Sequence, residues 1–193
     1  SKINSNKMRK AELSKEDFKK IAQISSELED INLFIDDNPV LTIPTLRSRA
    51  RRLKRLHEID LIIVDYLQLM SGSSTFRNDG RVQEISEITR GLKAIAKELN
   101  IPIIALSQLS RQGEQRDHKR PLLSDLRESG AIEQDADVVM FIFREDMYDE
   151  TPENQNTAEI IVGKQRNGPT GVVKLAFLKQ QTRFESLVSK AYQ

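Results

Sequence analysis

The chain of 193 residues contains no cysteine and no tryptophan. The first absence excludes disulfides, thiolate metal sites and a cysteine nucleophile, and it suits a reducing compartment. The second, together with an aromatic fraction of 5%, argues against base stacking on an aromatic platform. Histidine is nearly missing too: His57 and His118 lie far apart among basic residues, so a histidine metal site is not expected. No apolar run approaches the roughly 18 residues of a membrane span, and the first thirty residues are charged rather than signal-like. The expectation is a cytoplasmic protein with no membrane partner. Charge of one sign is also lacking, since 30 Lys and Arg oppose 29 Asp and Glu. Any polyanion site must therefore come from local clusters.

What is present alternates helical and strand patterns, the signature of an α/β protein with a mostly parallel sheet flanked by helices. Ser14 and Asp17 form a capping pair for a helix towards Leu28, with Phe18, Ile21, Ile24 and Leu28 as its stripe. Ile31 to Ile35 (INLFI) reads as a strand. Thr42 and Pro44 open a basic helix, with Leu46, Leu53 and Leu56 inward and Arg47, Arg49, Arg51, Arg52, Lys54 and Arg55 mostly outward. That run is a nucleic-acid patch or, more commonly, a solvated helix face. Leu61 to Val64 is a strand apolar enough for burial on both faces.

Ser71 to Gly80 is breaker-rich and reads as a mobile loop. A long amphipathic helix follows from Arg81 to Leu99, with Val82, Ile85, Ile88, Leu92, Ile95, Ala96 and Leu99 on one face. Ile101 to Leu106 is the next strand, Gln112 to Pro121 a charged loop, and Ile132 to Ala136 a short helical stretch. Strands are expected at Val138 to Phe143, Ala158 to Val162 and Val172 to Leu178, the last two joined as a hairpin by Asn167 to Gly171. No interdomain linker is evident, so residues 1–193 read as a single domain.

Polar groups cluster at strand ends, where open α/β sheets bind ligands. Asp65 follows Val64, Ser107 and Gln108 follow Leu106, and Lys164, Gln165 and Arg166 follow Gly163. A carboxylate at the end of a buried strand can hold magnesium through water; a helix cap or a satisfied structural aspartate is the alternative. Gln108 can sense a terminal phosphate or orient water. Lys164 and Arg166 point to one side of an extended chain and can clamp a phosphate, unless they form only a solvated strand end. Arg127, Glu128, Ser129 and Gly130 (RESG) suit close approach to a sugar-phosphate backbone, against a plain loop with an internal ion pair.

LIIVDYLQLM, EISEITRGLKAIAKEL, IPIIALSQLSR, RPLLSDLRESGAIEQDADVVMFIFR and KQRNGPTG, in that order, resemble the ATPase domain of DnaB-type replicative ring helicases over nearly the whole chain. The resemblance implies a RecA-like fold, a hexameric ring of identical subunits, ATP and Mg2+ as cofactors, and 5′ to 3′ translocation on single-stranded DNA. A primase and a helicase loader are implied as further partners. It assigns Asp65 to magnesium, Gln108 to phosphate sensing, Arg166 to an arginine finger acting in trans and Lys164 to the terminal phosphate. Arg127, Glu128 and Gly130 correspond to the DNA-contacting loop.

The family's phosphate cradle, GxxxxGK[ST], does not occur: Gly163-Lys164 is followed by Gln165 and has Ala158 where the first glycine should stand. The chain starts at a point corresponding to sequence beyond that loop and beyond the segment carrying the family's catalytic glutamate. The expectation is therefore an incomplete sheet, lacking the phosphate-loop strand and helix, in a C-terminal portion that is inactive by itself. A non-catalytic binding or ring-assembly module and another RecA-like recombination or repair ATPase are the competing readings.

Overall fold

The computed structural model describes residues 2–72, 80–110, 113, 116 and 118–187, and only the backbone of 127–129. Residues 73–79 of the expected Ser71 to Gly80 loop, and residues 112, 114, 115 and 117 of the expected Gln112 to Pro121 loop, lie outside the described residues. The described chain divides into two compact units.

One unit comprises residues 35–139 and 163–169. It holds strand β1 (Leu41–Thr42), helix α3 (Ile43–His57), β2 (Ile62–Val64), β3 (Met70–Ser71), α4 (Arg81–Leu99), β4 (Ile103–Ala105) and α5 (Gly130–Asp135). Helix α3 starts as its sequence predicts: Thr42 accepts from the Thr45 amide and Pro44 occupies the first turn. Helix α4 has the predicted bounds and ends on Asn100 in the left-handed region, a common way to stop a helix. Strand β2 pairs in parallel with β4, Ile62 opposite Ile103 and Val64 opposite Ala105, and β1 pairs in parallel with β3. One core joins Leu46 and Ala50 of α3, Val64, Leu67 and Met70 around β2, and Ile85, Ile88, Leu92 and Ile95 of α4.

Three expectations fail in the described chain. INLFI forms no strand: Ile31 to Ile35 is exposed, with a local bond from the Leu33 amide to Ile31 O, because no ladder partner lies beside it among the described residues. Leu56 faces solvent rather than the core. Strand β2 is covered on one face only. Val64 is 6% exposed against α3 and α4, while Ile63, on the other face, is 61% exposed and Ile104 of β4 shares that exposure.

The other unit comprises residues 1–34, 140–162 and 170–193. It contains α1 (Ser5–Arg9), α2 (Lys15–Glu29), most of β5 (Val138–Phe143) and β6 (Thr157–Gln165), and all of β7 (Gly171–Leu178) and β8 (Arg183–Ser186). The sheet order is β5-β6-β7-β8, with β6 to β7 and β7 to β8 antiparallel. The predicted hairpin is present, and β8 extends it. Helix α2 is capped by Ser14 and Asp17 as expected, yet it buries no residue, and Phe18 and Leu28 of its stripe are exposed. Phe141, Phe143, Ala158 and Phe177 are buried on the sheet, and the Arg144 guanidinium lies 4.1 Å above the Phe177 ring.

Candidate nucleotide and DNA sites

The β2–β4 ladder decides where Asp65 and Gln108 sit. Because Val64 pairs with Ala105, the two strands end at the same level and Asp65 and Leu106 leave the ladder side by side. The Leu106 amide donates to Val64 O at 2.9 Å and the Leu67 amide returns the bond to Leu106 O at 2.9 Å, so the turn after Asp65 is stitched to the end of β4. The Asp65–Tyr66 peptide is cis. Asp65 is exposed, and its carboxylate forms no hydrogen bond or ion pair with the described residues. Among the described residues neither a helix cap nor a satisfied structural aspartate has a partner for this carboxylate. Among the described residues no group of three or more His, Cys, Asp and Glu side chains could hold a metal ion by itself, so a metal at Asp65 would need waters or phosphate for its remaining ligands.

Gln108 is exposed, with its backbone tied down. The Gln68 carboxamide does this: its Nε2 donates to Ser107 Oγ at 3.0 Å and Gln108 O at 3.2 Å, and its Oε1 accepts from the Gln108 amide at 3.3 Å. Arg81 of α4 in turn donates to Gln68 O at 2.7 Å. Gln68 was not singled out from sequence. Its one signal was a polar residue inside the apolar run LQLM, which is weak evidence by itself.

Lys164 and Arg166 converge on the end of α5. The Lys164 ammonium donates to the carbonyls of Glu133, Gln134 and Ala136, the last at 2.8 Å, so here it caps the negative end of that helix. The Arg166 amide donates to Asp137 O at 2.8 Å, its Nη2 lies 3.4 Å from Gln134 O, and its Nε lies 3.6 Å from Asp137 Oδ1. Arg166 keeps 53% of its side-chain surface exposed. Lys93 forms a short ion pair with Asp137, and this pair, ahead of the Arg166 and Lys164 charges, holds the Asp137 carboxyl below the usual carboxylate range against the opposing effect of burial. Asp137 and Lys93 were also not anticipated, because their pairing spans 44 residues.

Arg127, Glu128 and Ser129 belong to a 3-10 turn, Leu123–Ser129, that leads into α5 at Gly130. The side chains of Arg127 and Glu128 lie outside the described residues. Gly130 has an ordinary helical φ of −48° and is exposed, and a Cβ there would meet nothing within 4 Å. Glycine thus leaves open space at the surface rather than permitting a special backbone angle. The base of this loop is fixed by buried Asp125, which accepts from the Leu122 amide at 2.8 Å and pairs with Arg116, while its own carbonyl accepts from the Ser110 amide at 3.0 Å.

The basic helix is partly neutralised. Arg47 and Arg51 both pair with Glu98 of α4, and Arg49 pairs with Asp36. The Arg51 hydrogen bond, followed by that from Arg47, lowers the Glu98 carboxyl below its ordinary value, with burial opposing.

The family model of the DnaB-like helicase C-terminal domain matches residues 1–186. The replicative DNA helicase DnaC of Bacillus subtilis is 50% identical over 96% of this chain and 40% of its own length, and the replicative DNA helicase DnaB of Geobacillus stearothermophilus is 49% identical over the same shares. A solved DnaB-like replicative helicase, described with its interactions with primase, superposes with a TM-score of 0.88 at 42% identity, covering 96% of this chain and 46% of that one. A second solved structure, described as an ATPase domain, superposes with a TM-score of 0.89 at 42% identity, covering 96% and 66%. The chain spans about 40% of the length of the curated relatives it matches. With a RecA-like fold shared over almost all its length, this chain belongs to the DnaB-like helicase C-terminal domain family.

Proposed function

We propose that this chain forms the magnesium-side half of an ATP site and the DNA-contacting loop of a replicative ring helicase, which hydrolyses ATP while moving 5′ to 3′ on single-stranded DNA. The observation that carries the reading is the Asp65 carboxylate, without a partner among the described residues, at the end of the β2–β4 ladder, with the Gln108 backbone held by Gln68 just beyond the end of β4. Bound magnesium would neutralise phosphate charge and orient the oxygens in line. Asp65 would accept hydrogen bonds from the waters around that ion. Gln108, on a fixed backbone and with an exposed side chain, would hydrogen-bond the attacking water or a terminal oxygen. Arg166 would supply positive charge to the neighbouring subunit's site, with Lys164 leaving its helix-end carbonyls to join it. Arg127, Glu128 and Gly130 would contact the sugar-phosphate backbone, binding without regard to sequence.

Phosphoryl transfer depends on positioning and charge neutralisation of the phosphates, and GxxxxGK[ST] is absent from these residues. The 193 residues alone are therefore proposed to be inactive, with identical subunits, a primase and a helicase loader as partners of the helicase. DNA-stimulated ATP turnover by these residues in isolation would refute that. In a polypeptide that also carries the phosphate loop, Arg166→Ala should reduce turnover by about three to five decades, the worth of an arginine finger, and leave nucleotide binding largely intact. Loss of binding instead would argue against a finger acting in trans.

A further inference from the structure

Asp137 stands at an unusual junction. One carboxylate oxygen is held by Lys93 of α4, while the other faces the Arg166 guanidinium at 3.6 Å. Its carbonyl accepts the Arg166 backbone amide at 2.8 Å. One turn before Lys93, Thr89 donates to Asp135 Oδ2 at 2.6 Å, so the end of α5 is pinned to α4 at two successive points. Helix α4 is itself fixed, because Ile85, Ile88, Leu92 and Ile95 fill the core. Arg166 is thus tied by main chain and side chain to a segment anchored on the most buried helix of its unit. The Asp137 and Arg166 side chains are about half exposed, 54% and 53%, and such a pair contributes little to stability. Its remaining consequence is geometric.

We propose that Asp137 is the positioning residue for Arg166, aiming its guanidinium at the nucleotide of the adjoining subunit. This rests on the reading of Arg166 as the finger. Helix α5 starts at Gly130, in the loop assigned to DNA, and Asp137 follows its last turn.

The test uses a polypeptide that carries the phosphate loop and assembles as a ring. Asp137→Asn keeps the side-chain shape and removes the charge. Turnover should fall roughly ten- to a hundredfold, the effect of misplacing a catalytic group by about an ångström, and KM should change by less than about twofold. Affinity for ADP with aluminium fluoride, measured by calorimetry, should weaken by a similar factor, while affinity for ADP alone should not change. Arg166→Ala combined with Asp137→Asn should be no worse than Arg166→Ala, since both act through one guanidinium. Additive losses, or unchanged turnover in Asp137→Asn beside an inactive Arg166→Ala, would overturn the positioning role and leave the finger reading intact. Full turnover in Arg166→Ala would overturn the finger reading itself. Should Asp137→Asn fail to assemble, Asp137→Glu shifts the charge by one methylene and carries the same calorimetric comparison: weakened analogue affinity at constant ADP affinity supports the role, and two unchanged affinities refute it.

Discussion

Gly91 lies in the middle of α4, where the helix meets the first residue of α3. A Cβ at this position would stand 2.6 Å from Ile43 Cγ2, 2.7 Å from Cγ1 and 2.8 Å from Cδ1. Carbon atoms prefer about 3.5–4.0 Å, so Gly91→Ala would drive one methyl roughly an ångström into three neighbours. Two effects oppose each other. Alanine in a helix interior is favoured over glycine by about 1 kcal/mol, whereas forcing a methyl into a packed contact costs about 1–3 kcal/mol. Ile43 is β-branched and stiff at χ1, and it packs against the core, so it cannot swing away cheaply. The packing cost should win by up to about 2 kcal/mol. Urea unfolding followed by far-ultraviolet circular dichroism should show a lower midpoint at unchanged slope. Ile43→Ala removes all three opposing atoms, so in that background Gly91→Ala should stabilise by up to about 1 kcal/mol. A stabilising Gly91→Ala in the unsubstituted chain would refute the argument, because the helix-to-helix approach would then be free to relax.

Three other outcomes are expected. Arg127→Ala in the assembled helicase should weaken single-stranded DNA binding for all sequences and make the salt dependence shallower by about one phosphate contact; an unchanged slope of affinity against salt would remove Arg127 from the backbone contacts. Gln68→Ala deletes the hydrogen bonds that hold Ser107 and Gln108, so chemical denaturation should register a loss of about 1–2 kcal/mol, and turnover of the assembled enzyme should drop without loss of DNA binding. Burial raises the pKa of Asp146, but Lys179 at 3.0 Å and Arg144 at 3.1 Å outweigh it and leave the carboxyl below its ordinary range. A carboxyl depressed in the folded state contributes stability above its unfolded pKa and loses it as pH falls through the folded one. The loss should therefore appear below about pH 4. Asp146→Asn should flatten that part of the stability curve, as thermal unfolding across pH would show.

Residues that report on their own environment were legible in the sequence. Helix α4 was readable to its ends because its apolar period is long and Asn100 can adopt the left-handed turn that stops it. The α2 and α3 caps were readable because Ser14, Asp17 and Thr42 bond within three residues of themselves. Strand β5 was readable from six apolar residues, though its alternating burial was not. INLFI misled because a strand exists only with a partner, and nothing in five apolar residues says whether one is present. The exposure of Ile63 escaped notice for the same reason: apolar composition states a demand for cover and not its supply.

By itself the sequence determined the order of helices and strands, the helix caps, the family motifs and the placement of Asp65, Gln108 and Arg166 at strand ends. Each follows from residue type and short-range spacing. Tertiary structure alone decided that Gln68 binds the ends of β2 and β4 together, that Lys164 caps α5, and that Lys93 and Asp137 hold the base of Arg166. These contacts join residues 28 to 44 positions apart or aim a donor at carbonyls whose location depends on another helix, and no local pattern encodes a meeting of that kind.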